Sequence, residues 1–245
     1  MLRTREERSR IPRERPDGTR YYRPMDAFSD PQAVERYAAG PPRLVPGFAD
    51  LHRMATILLS THVPEDARLL VLGAGGGLEL KAFAQAHPGW TFDGVDPSAE
   101  MLRLAERMLG DLASRARLHE GYIHDAPEGP FDGACSLLTL HFIEKEERLR
   151  TLQQVRRRLK PGAPFVAAHF SVSREERTYW FDRYVDFAVS SGIAEEQARR
   201  GRAAIEANVP ILSPEEDEEL LYAAGFSDVR LFYAAFTFRG WVARA

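Results

Sequence analysis

Between residues 68 and 170 the chain alternates apolar runs with amphipathic stretches, separated by short connections. "ARLLVLG" is continuously apolar, as a strand buried on both faces must be. "LELKAFAQAH" has its apolar residues at helical spacing and stops at Pro88-Gly89. "TFDGVD", "ARLHEGY", "FDGACSLLTL" and "APFVAAHF" read as further strands. "SAEMLRLAERMLG", opened by Ser98 and closed by Gly110, and "KEERLRTLQQVRRRLKPG", stopped by Pro161-Gly162, read as the helices between them. Strand and helix alternating in this way predict an α/β fold, doubly wound, with a mostly parallel sheet covered on both faces. "SDVRLFYAAFTFRGWVARA" predicts two adjacent strands, an antiparallel pair that ends the sheet.

The remaining segments divide the chain. Residues 1–25 carry eight arginines, several glutamates and three helix-breaking prolines, which predicts a flexible basic arm. Residues 26–63 predict a helical N-terminal cap: "SDPQAVERYAAG" as a short helix, "PPRLVPG" as a rigid bend, "FADLHRMATILLSTHV" as a full helix. Residues 64–245 form the main domain, interrupted at 173–207 by two helical segments where a substrate-covering lid would sit. "SPEEDEELLYAAGF" is a capped helix with its acids in the first turns. With 245 residues and 44% hydrophobic content the chain can bury a full core. A net charge of −3 supplies no basic field for nucleic acid. No apolar run approaches the ~20 residues of a membrane span. The start of the chain is too charged for a secretory signal. Cys135, the single cysteine, excludes an internal disulfide and reads as a buried small hydrophobe. The expected location is cytoplasmic.

Four glycines fall within Gly73-Ala74-Gly75-Gly76-Gly77, at the first strand-to-helix turn. In open α/β sheets ligands bind there, against bare backbone N–H groups and a helix N-terminus. Asp96 ends the second strand about 20 residues later, the offset at which an acid meets ribose hydroxyls; the alternative is a helix cap. Gly73, Gly75 and Gly77 step by two, unlike the G-x-G-x-x-G dinucleotide fingerprint.

In "LLVLGAGGG", "GVDPSAEML", "EGYIHDAP", "FDGACSLLTLHFI" and "LKPGAPFVAAHF", taken in order, the chain resembles the class I S-adenosylmethionine-dependent methyltransferases over residues 68–245. That resemblance implies a seven-stranded sheet of order 3-2-1-4-5-7-6 with strand 7 antiparallel. It implies S-adenosyl-L-methionine as cofactor, held by Gly73, Ala74, Gly75, Gly77, Asp96, Pro97, Met101, the Tyr122-Ile123 backbone and Leu137. A further likeness, from roughly residue 28 to the end, joins "RLVPGFADLHRM", "LLTLHFIEKEERL" and "ANVPILSPEEDEELLYAAGFSDVRLFYAAFTFRGWVA" to the carboxy-S-adenosylmethionine synthases. Those enzymes convert the cofactor with prephenate and serve modification of tRNA wobble uridine.

The chain departs from both patterns. Val71 stands where methyltransferases usually carry an acid for the methionine part, and Tyr122 where they often carry one for the adenine. Phe48 replaces the synthases' tyrosine and Leu137 their asparagine. Arg200 and Arg202 lie near the arginine that holds the synthases' extra carboxylate, offset by a one-residue gap. The expected reaction is methyl transfer to a small organic acceptor; carboxy-S-adenosylmethionine synthesis and non-catalytic cofactor binding are the alternatives. Such transfer needs an aligned in-line nucleophile, and a general base only where a proton must leave. His141 after strand four and His169 at the end of strand five are the candidate bases, with His141 alternatively anchoring a helix start. Tyr179 and Trp180 offer an aromatic substrate wall or plain lid packing, and Arg200 and Arg202 substrate contacts or a solvated helix face. Arg43 is the candidate partner for the cofactor carboxylate, and Glu79 reads as solvent-facing or one layer removed from the ligand. No His/Cys/acid cluster has metal-ligand spacing, so no metal is expected. Expected partners are a small-molecule methyl acceptor and a second copy of the chain as a homodimer, with no nucleic acid and no membrane.

Overall fold

A computed structural model describes residues 37–245, residues 28, 30 and 34, and the backbone of Arg13–Glu14 and Arg20–Tyr21. Those last two segments pair antiparallel; the rest of the arm expected over residues 1–25 lies outside the described residues. Of the helix expected over 29–40, Val34 is helical and Tyr37–Ala39 forms a 3-10 turn.

The stretch expected as a rigid bend contains a helical turn, α1 (Pro41–Leu44), because proline at the first helical positions arrives with φ already set. Gly47, at φ +65°, redirects the chain into α2 (Phe48–Ser60). Leu51, Ala55 and Leu59 of α2 are fully buried, in the same core as Leu69, Val71 and Cys135 of the sheet. This helix is therefore a covering layer of the sheet as well as part of the cap.

The elements then follow as β1 (Arg68–Leu72), α3 (Leu78–Ala86), β2 (Thr91–Asp96), α4 (Ala99–Leu109), β3 (Ala116–Glu120), β4 (Gly133–Leu137), α5 (Lys145–Arg157) and β5 (Pro164–Phe170). After β5 come α6 (Arg177–Ser190), α7 (Glu195–Asn208), α8 (Pro214–Ala223), β6 (Ser227–Ala235) and β7 (Phe238–Arg244). The sheet order is β3-β2-β1-β4-β5-β7-β6. All pairings from β3 to β5 are parallel, whereas β7 runs antiparallel to both its neighbours. Strand order reverses between β1 and β4, so the carboxyl ends of β1, β2 and β4 converge on one crevice.

Side-chain alternation along each strand divides the core. On β5, Val166, Ala168 and Phe170 face the layer containing α2 and α3, while Phe165 and Ala167 face α5 and α8. On the second side Arg148 of α5 is fully buried and donates to Asp217 Oδ1 of α8 at 2.7 Å. Its other nitrogens reach the carbonyls of Ile143 and Pro210. Helix α8 starts in a capping box between Ser213 and Glu216.

Helices α6 and α7 leave and rejoin the sheet at one place: Val172 N–H donates to Leu212 O at 3.0 Å. The cap is tied to this insertion by Arg43, whose guanidinium donates to the carbonyls of Ser191 and Gly192. It is tied to β6 by Tyr233, whose hydroxyl donates to Pro46 O at 2.6 Å.

Candidate functional site

The glycine turn is built by close approaches that only hydrogen side chains allow. Gly73 and Ala74 N–H both donate to Val95 O, and Gly76 N–H to Met101 O. Gly75 N–H donates to Asp96 Oδ2 at 3.1 Å, and Ser98 N–H to Asp96 Oδ1 at 2.8 Å. A Cβ on Gly75 would lie 2.6 Å from that Oδ2 and 2.9 Å from Met101 Cβ. Gly77 has φ +68°, and a Cβ there would lie 2.8 Å from Ala105 Cα. Gly77→Ala combines backbone strain with a backbone clash, worth roughly 1–3 kcal/mol. The thermal midpoint should fall by about 2–12 °C, read by circular dichroism.

Several expected residues meet here. Gly73, Ala74, Gly75, Gly77, Asp96 and Met101 are brought together, with Ala74 buried in the core and Pro97 half-buried beside them. Leu137 ends β4, followed by Leu138 at φ +57° and Thr139. Thr139 packs so tightly on Gly73 that a Cβ there would lie 1.9 Å from its Oγ1. Gly121 N–H bonds to Asp96 O, which places Tyr122 and Ile123 beside the second strand's end. Ile123 is buried; Tyr122 N–H is taken by Asp125 Oδ2 at 2.9 Å.

Two features were not read from the sequence, and a third, Glu79, was read only as solvent-facing or one layer removed from the ligand. Tyr37 lies over the turn, its Cε1 2.7 Å from where a Gly76 Cβ would be. Phe28 accepts from Ser98 Oγ through its carbonyl and sets its ring against Tyr37 and Phe142. Glu79, in the first turn of α3, is 5% exposed. Its signal is Phe83, four residues on and fully buried, which puts Glu79 on the inward stripe of the helix. Burial pushes the Asp96 carboxyl up to about 6, its bonds from Ser98 and Gly75 N–H opposing. Burial, opposed by the backbone and aided by the Asp96 charge, pushes Glu79 up to about 8. Burial and the same two acids raise the Tyr37 phenol.

Both histidines are buried. His169 belongs to the β5 face toward α5 and α8, with Nε2 3.1 Å from Asp217 Oδ1 and so beside the Arg148 ion pair. This corrects its reading as a rim base: the alternation of β5 turns it into the core. His141 Nδ1 accepts from Phe170 N–H at 3.3 Å. Burial, with His169 and Arg148 nearby, holds its imidazole well below the usual range, hence neutral. A neutral ring with Nδ1 accepting carries its hydrogen on Nε2, so this tautomer offers a donor and no free base.

The expected arginines are engaged elsewhere. Arg43 is spent on the Ser191 and Gly192 carbonyls at the end of α6, which corrects its reading as a carboxylate partner. Arg200 is exposed and paired with Glu196 at 2.7 Å, and Arg202 is held by Asp182 and Glu206. The i,i+4 spacing of Glu196 to Arg200 and Arg202 to Glu206 is a signal for such pairing. Tyr179 is exposed under Arg183, while Trp180 is half-buried near Phe236, its Nε1 without a hydrogen-bond partner among the described residues. Among the described residues no cluster of His, Cys and acids fits a metal ion, and no helix is long and apolar enough to cross a membrane.

Residues 70–165 match the model of a methyltransferase domain. The chain is 27% identical to the carboxy-S-adenosyl-L-methionine synthase of Chromohalobacter salexigens over 82% of this chain and 77% of that one. An O-methyltransferase family protein from Burkholderia thailandensis superposes with a TM-score of 0.66 at 14% identity, over 89% of this chain and 61% of that one. PigF with SAH superposes with a TM-score of 0.66 at 19% identity, over 90% and 61%. This chain thus spans about three-fifths of the length of those two solved chains.

Proposed function

Starting from a chain that is class I S-adenosylmethionine-dependent methyltransferase-like, we propose that it binds S-adenosylmethionine at the glycine turn and methylates a small organic acceptor. The supporting observation is charge. Asp96 and Glu79 are two largely buried acids at one crevice, and neither forms an ion pair among the described residues. Arg200 and Arg202, the cations nearest in sequence to the synthases' carboxylate-binding position, are matched by their own acids. Two such acids suit a ligand that brings cationic groups, as the sulfonium and ammonium of S-adenosylmethionine do.

The residues present fit the cofactor. Asp96 spends two acceptor positions on Gly75 and Ser98 N–H, and a carboxylate has about four, so it can still take ribose hydroxyls. Met101 and Ile123 supply apolar side chains beside the turn. S-adenosylmethionine supplies an electrophilic methyl group on a sulfonium. The cap residues Phe28 and Tyr37 exclude water from the crevice, and α6 offers the acceptor its aromatic side through Trp180. His141 orients an acceptor as a donor rather than removing its proton.

A second reading, carboxy-S-adenosylmethionine synthesis, is favoured by the synthase relatives. One experiment separates them: mass spectrometry of the nucleotide that co-purifies with the full chain, then of products after incubation with S-adenosylmethionine and prephenate. Methyl transfer predicts S-adenosylmethionine or S-adenosylhomocysteine and no carboxylated nucleotide. A carboxylated product would overturn the proposal, as would calorimetric binding of NAD with none of S-adenosylmethionine.

A further inference from the structure

Glu79 is a buried carboxyl with no cation paired to it among the described residues. It sits in the first turn of a nine-residue helix, beyond three glycines that bring the chain round Asp96. Among the described residues its side chain bonds only to its own backbone N–H. Among the described residues, the charged and titratable groups that act on it are Asp96 from β2, Tyr37 from the cap and Cys135 from β4, none of them a cation. An ionised carboxylate in such surroundings is costly unless a positive group arrives with the ligand. Val71, fully buried at the end of β1, leaves no acid on the strand itself.

We propose that Glu79 is the positioning residue for the amino-acid end of the cofactor, where its carboxylate receives the α-ammonium group. The inference rests on the cofactor reading above and goes beyond it by assigning the cationic end of the ligand to a residue outside the glycine turn and the second strand. It follows that binding is coupled to ionisation. Below pH 8 the Glu79 carboxyl is mostly protonated, and an ammonium ligand holds the ionised form. Affinity therefore rises with pH until Glu79 is ionised without ligand, by up to about tenfold per pH unit for one proton.

The test is calorimetry on the full chain and on Glu79→Gln with three probes: S-adenosylmethionine, S-adenosylhomocysteine and 5′-methylthioadenosine. The last keeps adenine, ribose and sulfur but lacks the amino-acid end. Glu79→Gln should weaken the first two about 10- to 100-fold and leave 5′-methylthioadenosine within about twofold. Between pH 6.5 and 7.5 the wild-type protein should gain close to tenfold for S-adenosylmethionine, and the variant should gain much less. Equal loss for all three probes would assign Glu79 a structural role and overturn the proposal. Unchanged affinity for all three would overturn it too. Failure of the wild-type protein to bind any probe would instead bring down the cofactor reading, and this assignment with it.

Discussion

Replacing Arg148 by methionine should lower the thermal midpoint by about 6–20 °C. The variant leaves Asp217 buried at 3% exposure without its guanidinium. Breaking one half of a buried pair costs about 3–5 kcal/mol, and each kcal/mol moves a domain of this size by about 2–4 °C. Arg148→Met combined with Asp217→Leu removes both charges and should recover most of the loss, because an apolar pair of similar volume carries no stranded ion. Differential scanning calorimetry of the three proteins decides it. A single variant that melts within 2 °C of wild type would show that the pair contributes little. Acid acts on the same residue. Burial alone would push the Asp217 carboxyl up, but His169 and Arg148 hold it below the usual carboxylate range. A folded pKa lowered in this way adds stability above the ordinary Asp value, lost as pH falls through the folded one.

Asp96→Ala should weaken S-adenosylmethionine binding about 10- to 150-fold, the cost of losing charge-assisted bonds worth about 1.5–3 kcal/mol. Titration at pH 8 keeps the wild-type carboxylate ionised, since its pKa is only about 6. Gly75→Ala should have the same effect without touching the acid, because its Cβ would sit 2.6 Å from Asp96 Oδ2 and push the carboxylate off its two backbone donors. Affinity within threefold of wild type in both variants would remove Asp96 from the ligand site.

Elements governed by local chemistry were legible in the sequence. Thr91–Asp96 is the run "TFDGVD" itself, and α4 lies between the Ser98 cap and Gly110 as read. The sheet order agrees with the one the methyltransferase resemblance implies. What escaped depends on residues far apart in sequence. Nothing local announces that Tyr37 lies on Gly76 or that Arg43 reaches Gly192. His169 illustrates a subtler limit. Its place at the end of β5 was read correctly, but its direction follows from strand alternation, and its company from an acid on α8. For Glu79 the sequence left a solvent-facing place and one a layer from the ligand both open, and Phe83 on the same stripe of the helix is the signal that it is buried.

The bonds that seat the cap also order events during synthesis. Arg43 bonds to carbonyls 148 and 149 residues later, and Tyr233 reaches back 187 residues to Pro46. At about 5–20 residues per second, Tyr233 is made about 10–40 s after Pro46. Through that interval the stripe of Leu51, Ala55 and Leu59 must wait for β4 and β5 to complete the face it covers. Helix α2 is thus made early and seated late, and a nascent chain arrested before β5 would display its apolar side to ribosome-associated chaperones.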